Sequence, residues 1–211
     1  MEAYKKETIF TYDSNVAGFE KKFQDNFEKY GREDLERFIS NLKGGKVVDI
    51  GCGPGVYLEA MREAGLDAMG IDLSESFIER CHEKGLNVRK MDMENPLLYP
   101  HSFDGLWAHA VLPHVPRERV AALLQTWTRL LKRDGLLWLS LREGEGEGFD
   151  ADASNTDRKR WLTFYTDEEV RKLVGKRFEV IHFEQTDRSG KKYLKYLLRL
   201  KPEAPKAFRN F

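Results

Sequence analysis

Three acids stand at points where the chain would leave a strand, and each is followed by residues able to face a ligand. Asp49 precedes Gly51-Cys52-Gly53-Pro54-Gly55, Asp72 closes Gly70-Ile71-Asp72 and leads into Leu73, and Asp92 precedes Met93. Two histidines, His109 and His114, flank Ala110-Val111-Leu112-Pro113. Alternating glycines permit positive φ and let backbone approach a bound molecule closely. A helix that starts behind such a turn aims its free N–H groups at whatever lies there. Together these features describe the floor of a pocket for a nucleoside-bearing cofactor.

The spacing discriminates among such cofactors. A dinucleotide fold asks for G-x-G-x-x-G, so that the third glycine brings the helix close beneath a pyrophosphate. Here Val56 stands where that glycine belongs, and no G-x-x-x-x-G-K-[ST] occurs anywhere. An acid two residues before the first glycine would repel a pyrophosphate and suits a cationic ligand. S-adenosylmethionine, with its sulfonium and ammonium, meets that requirement.

The elements that must carry these residues follow from periodicity. An amphipathic helix is expected through Phe19, Phe23, Phe27 and Tyr30, ending near Gly31, and a second through Leu35, Phe38, Ile39 and Leu42, stopped by Gly44-Gly45. Strands are expected at Lys46–Ile50, Ala68–Ile71, Leu86–Arg89, Phe103–Ala108 and Leu136–Leu141. Helices alternate with them: one through Tyr57, Leu58 and Met61 with Gly65 beyond its end, one N-capped by Ser74, and one from Arg117 to Lys132. Such alternation predicts an α/β, doubly wound, Rossmann-like sheet. Thr166-Asp167-Glu168-Glu169 reads as a capping box. Phe178–Phe183 and Tyr193–Leu200 then read as a terminal hairpin around Ser189-Gly190 that adds an antiparallel strand. Residues 1–211 are expected to form a single domain: a helical cap over 1–45, the core over 46–201 and a tail from 202 to 211.

At this point the sequence resembles the class I S-adenosylmethionine-dependent methyltransferases. Val48-Asp49-Ile50-Gly51-Cys52-Gly53-Pro54-Gly55 is similar to their first motif, and the resemblance runs over roughly residues 45–200. It implies seven strands and assigns cofactor-binding roles to Tyr12, Asp49, Gly51, Cys52, Gly53, Gly55, Asp72, Leu73, Asp92, Met93, Ala108 and His109. By this resemblance Asp72 holds the ribose hydroxyls, and an acid suits a vicinal diol because it accepts two hydrogen bonds. Asp92 and the N–H of Met93 would read the adenine edge. The strand through Trp107, Ala108 and His109 would face the methyl group, and Thr11-Tyr12-Asp13 resembles an element that closes over the cofactor. Within the family the similarity is to the type-11-like small-molecule branch, through Arg142–Glu147 and Arg160–Thr166.

Methyl transfer needs alignment above all, and a base only when the acceptor arrives protonated. His109 and His114 are the candidates for that base, since both lie just past the fourth strand and histidine exchanges protons near neutrality. Neither has a third partner at a ligand spacing, so no metal is expected. Arg142, Glu143, Arg160, Trp161 and Tyr165 are candidates for the acceptor pocket, and the glycine-interleaved Glu143, Glu145 and Glu147 could receive a cationic acceptor. Composition narrows the partners. Lys+Arg and Asp+Glu both number 35, which counts against a nucleic-acid footprint. Two cysteines without ligand spacing suit a reducing compartment, and no stretch spans a bilayer, so a cytoplasmic location is expected. A small-molecule acceptor is favoured; a tRNA or other RNA methyltransferase and a non-catalytic cofactor-binding regulator are the alternatives. Oligomeric state leaves no trace in the sequence.

Overall fold

The apolar runs set between glycines become strands buried on both faces. The computed structural model describes residues 1–152 and 155–202. Its strands are β1 (Lys46–Ile50), β2 (Asp67–Asp72), β3 (Val88–Lys90), β4 (Phe103–His109), β5 (Leu131–Arg142), β6 (Glu147–Asp152), β7 (Asn155–Thr163), β8 (Phe178–Arg188) and β9 (Lys191–Leu200). Seven of them form one sheet in the order β3-β2-β1-β4-β5-β9-β8. Only β9 runs antiparallel to its neighbours. The expected fold class and terminal antiparallel hairpin are therefore present.

Each strand's alternate residues enter different cores. Val48, Leu106 and Leu137 pack beneath helix α6 (Arg117–Leu130), against its Val120, Leu124 and Trp127. Val47, Trp107, Leu136 and Trp138 face the other way, onto Phe38 and Met61. These two come from α3 (Arg32–Asn41) and α4 (Val56–Glu63). Trp107 and Trp138 stack with centroids 4.9 Å apart. Burying a side chain of this kind is worth about 1.5–3 kcal/mol. The predicted caps form as well: Ser74 Oγ accepts from Phe77 N–H at the start of α5 (Glu75–Glu83), and Thr166 and Glu169 close a capping box on α7 (Asp167–Val174).

Several elements depart from expectation. Helix α1 (Ala3–Asp13) precedes the two helices read in the cap. It carries no apolar stripe, because the face it buries holds Lys5, Thr8 and Thr11. The threonines serve the edge of β7: Thr11 Oγ1 donates to Lys159 O at 2.7 Å, and Trp161 N–H donates to Thr8 Oγ1 at 3.0 Å. That edge is thereby covered rather than left open to pairing. Helix α2 (Val16–Asn26) runs into α3 through a π-helical turn, Phe27–Gly31, instead of stopping at Gly31. The stretch after β5 is a hairpin, β6 with β7, and not a loop. Helix α6 ends two residues early, since Leu131 already pairs with Phe103. The tail expected from 202 lies, beyond Pro202, outside the described residues. Among the described residues no helix is long and apolar enough to cross a membrane.

One buried ion pair fixes the cap to the sheet. Lys195 Nζ on β9 donates to Asp34 Oδ1 on α3 at 2.9 Å, with both side chains almost fully enclosed. Removing one partner strands the other charge in the core. Glu184 remains 3.3 Å from Lys195, so Asp34→Ala is expected to cost about 3 kcal/mol, the low end for such a loss. Urea unfolding checks this, and Asp34→Leu combined with Lys195→Met should recover most of it.

Candidate active site

A cavity of about 600 Å³ opens beyond the carboxyl ends of β1, β2 and β4, the usual ligand position in an open α/β sheet. Its floor is the turn after β1. Gly51 N–H and Cys52 N–H both donate to Ile71 O, at 2.8 and 3.1 Å, which clamps the turn to β2. Gly51 has φ +66°, and a Cβ there would come within 2.3 Å of Val111 Cγ2. The Val111 methyl fills the place a side chain would take. Gly53, at φ +53°, turns its N–H onto Asp72 Oδ2 at 2.8 Å.

The two acids behind this turn differ in their partners. Asp72 Oδ1 accepts from Leu73 and Ser74 N–H at 2.7 and 2.9 Å. Burial nonetheless pushes its carboxyl up, against the pull of these backbone donors. Asp49 is 3% exposed and its Oδ2 has no hydrogen-bond partner among the described residues. Burial, with the Asp72 charge beside it, pushes Asp49 up to about 8. Asp92 has a cation as partner: Lys5 Nζ on α1 donates to its Oδ2 at 2.7 Å, and Glu94 N–H donates to its Oδ1 at 3.0 Å. Lys5 also pairs with Glu94 at 2.6 Å, so α1 is pinned over the end of β3.

The two histidines differ in what they offer. His114 Nδ1–H donates to Trp161 O at 2.8 Å, which fixes the tautomer and leaves Nε2 to accept from the Tyr12 hydroxyl at 2.9 Å. Arg160 Nη1 donates in turn to Tyr12 Oη at 3.2 Å. Both ring nitrogens of His114 are thus committed to holding Tyr12 and β7, and burial beside Arg160 pulls its pKa down to about 4. His109 Nδ1 lies 2.9 Å from Ser140 Oγ, which also accepts from Ala110 N–H at 3.2 Å. Its Nε2 is 3.4 Å from the Tyr57 hydroxyl. Burial first, then the charges of Arg188 and Lys195, pull His109 down to about 3. Both imidazoles are therefore neutral near pH 7, although the expectation was for groups that exchange protons there.

Of the expected cofactor residues, Tyr12, Asp49, Gly51, Cys52, Gly53, Asp72, Leu73, Asp92, Met93 and His109 all line the cavity. Gly55 and Ala108 do not. Gly55 packs against Leu86 and Cys81 behind the turn, and Ala108 points from β4 into the α6-side core. Among the acceptor candidates Arg142 and Arg160 line the cavity, whereas Glu143, Trp161 and Tyr165 stand off it. Tyr165 is fully buried in the core, Trp161 packs edge-on to Phe149, and Glu143 accepts from Gln185. Glu147 accepts from Arg117 N–H at the start of α6 and from Thr163, and Glu145 is exposed, so the acids expected to receive a cationic acceptor face elsewhere. Several lining residues escaped the sequence reading, among them Thr8, Tyr57, Ser140, Arg188 and Tyr193. Arg188 left no signal, because Glu184-Gln185-Thr186-Asp187-Arg188 is polar on both faces and shows no apolar alternation.

Comparison with known proteins places this site. Residues 48–139 match a family described as "Methyltransferase domain". They form a class I S-adenosylmethionine-dependent methyltransferase domain. A ubiquinone biosynthesis O-methyltransferase of Methylococcus capsulatus is 39% identical over 108 residues, covering 48% of this chain and 45% of the relative. The matched stretch thus spans about half the length of the curated relatives. In fold, the chain is similar to a 1,6-didemethyltoxoflavin-N1-methyltransferase of Burkholderia thailandensis, solved with S-adenosylhomocysteine. The TM-score is 0.69 at 21% identity, over 96% of this chain and 92% of that one. It is also similar to the magnesium protoporphyrin IX methyltransferase of Synechocystis PCC 6803, with a TM-score of 0.62 at 18% identity over 95% and 86%.

The methyltransferase domain's cofactor fits the residues present. Asp49 supplies an unpartnered buried carboxylate oxygen where S-adenosylmethionine would bring positive charge, and Asp72 supplies acceptors beside a glycine turn open to a ribose. A cation beside Asp49 favours its ionised form, so binding must release the proton that the empty pocket retains. Since the folded-state pKa lies above the ordinary carboxylate range, affinity should rise as pH increases toward about 8 and then level off. Calorimetry of S-adenosylmethionine binding in buffers of different ionisation enthalpy should show release of nearly one proton at about pH 7. Asp49→Asn should abolish that release.

Proposed function

We propose that the protein transfers the methyl group of S-adenosylmethionine to a small molecule that enters the same cavity. The observation that carries this is the unpartnered Asp49 carboxylate in a cavity that continues past the cofactor cradle to His109, Ser140 and Arg142. A roof of α1, α2 and the β6–β7 hairpin suits an acceptor that enters whole rather than a nucleic-acid strand. The relatives above are named as methylating a ubiquinone precursor at oxygen, a toxoflavin precursor at nitrogen and a magnesium porphyrin. Those names support a small-molecule acceptor here. Two unpaired, buried thiols support a reducing, cytoplasmic setting.

Bound S-adenosylmethionine supplies an electrophilic methyl carbon with a neutral thioether as leaving group. An acceptor atom would give its electron pair to that carbon as the carbon–sulfur bond broke, and any proton on the acceptor would have to depart. Asp49 and Asp72 bind and orient the cofactor, and Tyr12, held by His114, closes one side. His109 is the neutral imidazole whose Nε2 can take the acceptor's proton, once Ser140 Oγ accepts from its Nδ1–H. Most of the rate would come from alignment.

Calorimetry with S-adenosylmethionine and S-adenosylhomocysteine tests the first half of the proposal, and absence of binding to both would overturn it. Asp72→Ala should weaken binding at least about tenfold, the loss of charge-assisted hydrogen bonds. Turnover of radiolabelled cofactor with a panel of phenols, amines and acids tests the second half. Binding without transfer to any of them would leave a regulator instead.

A further inference from the structure

The acceptor end of the cavity is lined by Arg142, Arg188 and Lys191, none of which forms an ion pair among the described residues, although the Asp34 carboxylate lies within electrostatic reach of Arg188. Helix and strand register explain how they gather there. β9 is antiparallel to β5, so its first residues lie beside the last of β5, with Tyr193 opposite Arg142 and Lys195 opposite Ser140. β8 and β9 extend to Arg188 and Lys191, which pair across a two-residue turn, Ser189-Gly190, with φ of +54° and +74°. Such a tight turn holds the hairpin tip in one conformation. Arg188, Ser189, Lys191, Tyr193 and Arg142 all line the cavity.

Arg188 has the marks of a ligand-binding group. Its guanidinium lies over the ring of Tyr30 at 4.0 Å and the ring of Tyr193 at 5.0 Å, so it is held between two aromatic faces. Its Nε is buried without a hydrogen-bond partner among the described residues. No carboxylate of the described residues pairs with Arg188, Arg142 or Lys191, whereas Lys195 beside them is taken by Asp34 and Glu184. A planar fork of donors, pre-oriented by stacking, suits a carboxylate or phosphate in a bidentate grip. β8, which carries Arg188, lies across β4 from β1, β2 and β3, the strands that carry or lead to Asp49, Asp72 and Asp92, and the Arg188 charge reaches His109. Asp150, also in the lining, comes from the β6–β7 hairpin and does not pair with Arg188.

We propose that the acceptor carries an oxyanion, a carboxylate or a phosphate, which Arg188 receives between Tyr30 and Tyr193 with Arg142 and Lys191 beside it. This rests on the methyltransferase reading for the word acceptor, although the anion site itself does not. The aromatic walls, Tyr57, His109 and Tyr193, suit a flat body between the anion and the methyl group. An anion seated on Arg188 also offsets the positive charge that suppresses proton binding at His109, so an anionic acceptor makes its own base stronger.

The test uses protein saturated with S-adenosylhomocysteine and three probes of one shape: benzoate, phenyl phosphate and neutral benzamide, titrated by ligand-observed NMR. Benzoate or phenyl phosphate should bind at least about tenfold more tightly than benzamide, and which anion wins identifies the source. Arg188→Gln should remove that preference while S-adenosylhomocysteine affinity stays within about twofold of the wild type. If Arg188→Gln does not fold, Lys191→Gln at the exposed turn should still reduce the preference, and Arg133→Gln, at the opposite end of β5, should not. Equal binding of benzamide and the anions, no binding of either anion, or loss of S-adenosylhomocysteine affinity in Arg188→Gln overturns the proposal, the last by assigning Arg188 to the cofactor. Failure of wild-type protein to bind S-adenosylhomocysteine would instead overturn the methyltransferase reading, and the same titrations on the ligand-free protein would still decide the anion site.

Discussion

Two carboxylates set side by side, Asp49 buried and Asp72 half-buried, with no cation paired to either among the described residues, are the constraint around which this structure is arranged. Asp49 and Asp72 end adjacent parallel strands, and the pairing of Asp49 with Gly70 and Ile50 with Ile71 keeps them together. Placing like charges in a low-dielectric cleft opposes ionisation, and the fold tolerates the arrangement because backbone N–H groups of the glycine turn and of the α5 entrance hold Asp72. Asp49 receives no such help on Oδ2. The pocket is electrostatically incomplete, and what completes it must be positive.

The same sheet edge is incomplete in the opposite sense farther along. Acids end β1 and β2, and Asp92 lies just past β3, on one side of β4. Cations end β5 and β8 and begin β9 on the other side. His109 ends β4, at the boundary. An even balance of Lys+Arg with Asp+Glu over the whole chain conceals this division. Net charge is a sum, while recognition depends on where along the strand ends each sign falls.

The parts legible in the sequence were those in which local pattern and tertiary role agree. Strands buried on both faces appear as apolar runs, and the turn after β1 appears through its glycines. The caps at Ser74 and Thr166 appear because capping has a fixed spacing. The parts that were not legible are polar elements stabilised by partners remote in sequence. Helix α1 buries Lys5, Thr8 and Thr11, a face that carries no hydrophobic period and makes sense only beside Asp92 and β7. The outer half of β8 reads Glu184-Gln185-Thr186-Asp187-Arg188, loop-like by composition, yet it is paired along its length with β9. Trp161 and Tyr165, expected in the acceptor pocket, are turned away from the cavity by strand alternation and core packing. Lys195 alternates with Leu194 and Tyr196 along β9, and its burial depends on Asp34, far away in the chain.

The Val111 methyl that occupies the missing side chain of Gly51 acts as a mechanical gauge. One contact ties the turn after β1 to the segment between His109 and His114 across the cavity lining. Neither half can drift without the other, because close-packed interiors transmit displacement instead of absorbing it. In-line transfer loses rate steeply when the reacting atoms are misplaced by even about an ångström. For the proposed transfer, the tolerance would therefore be machined into a contact between an absent side chain and a single methyl group.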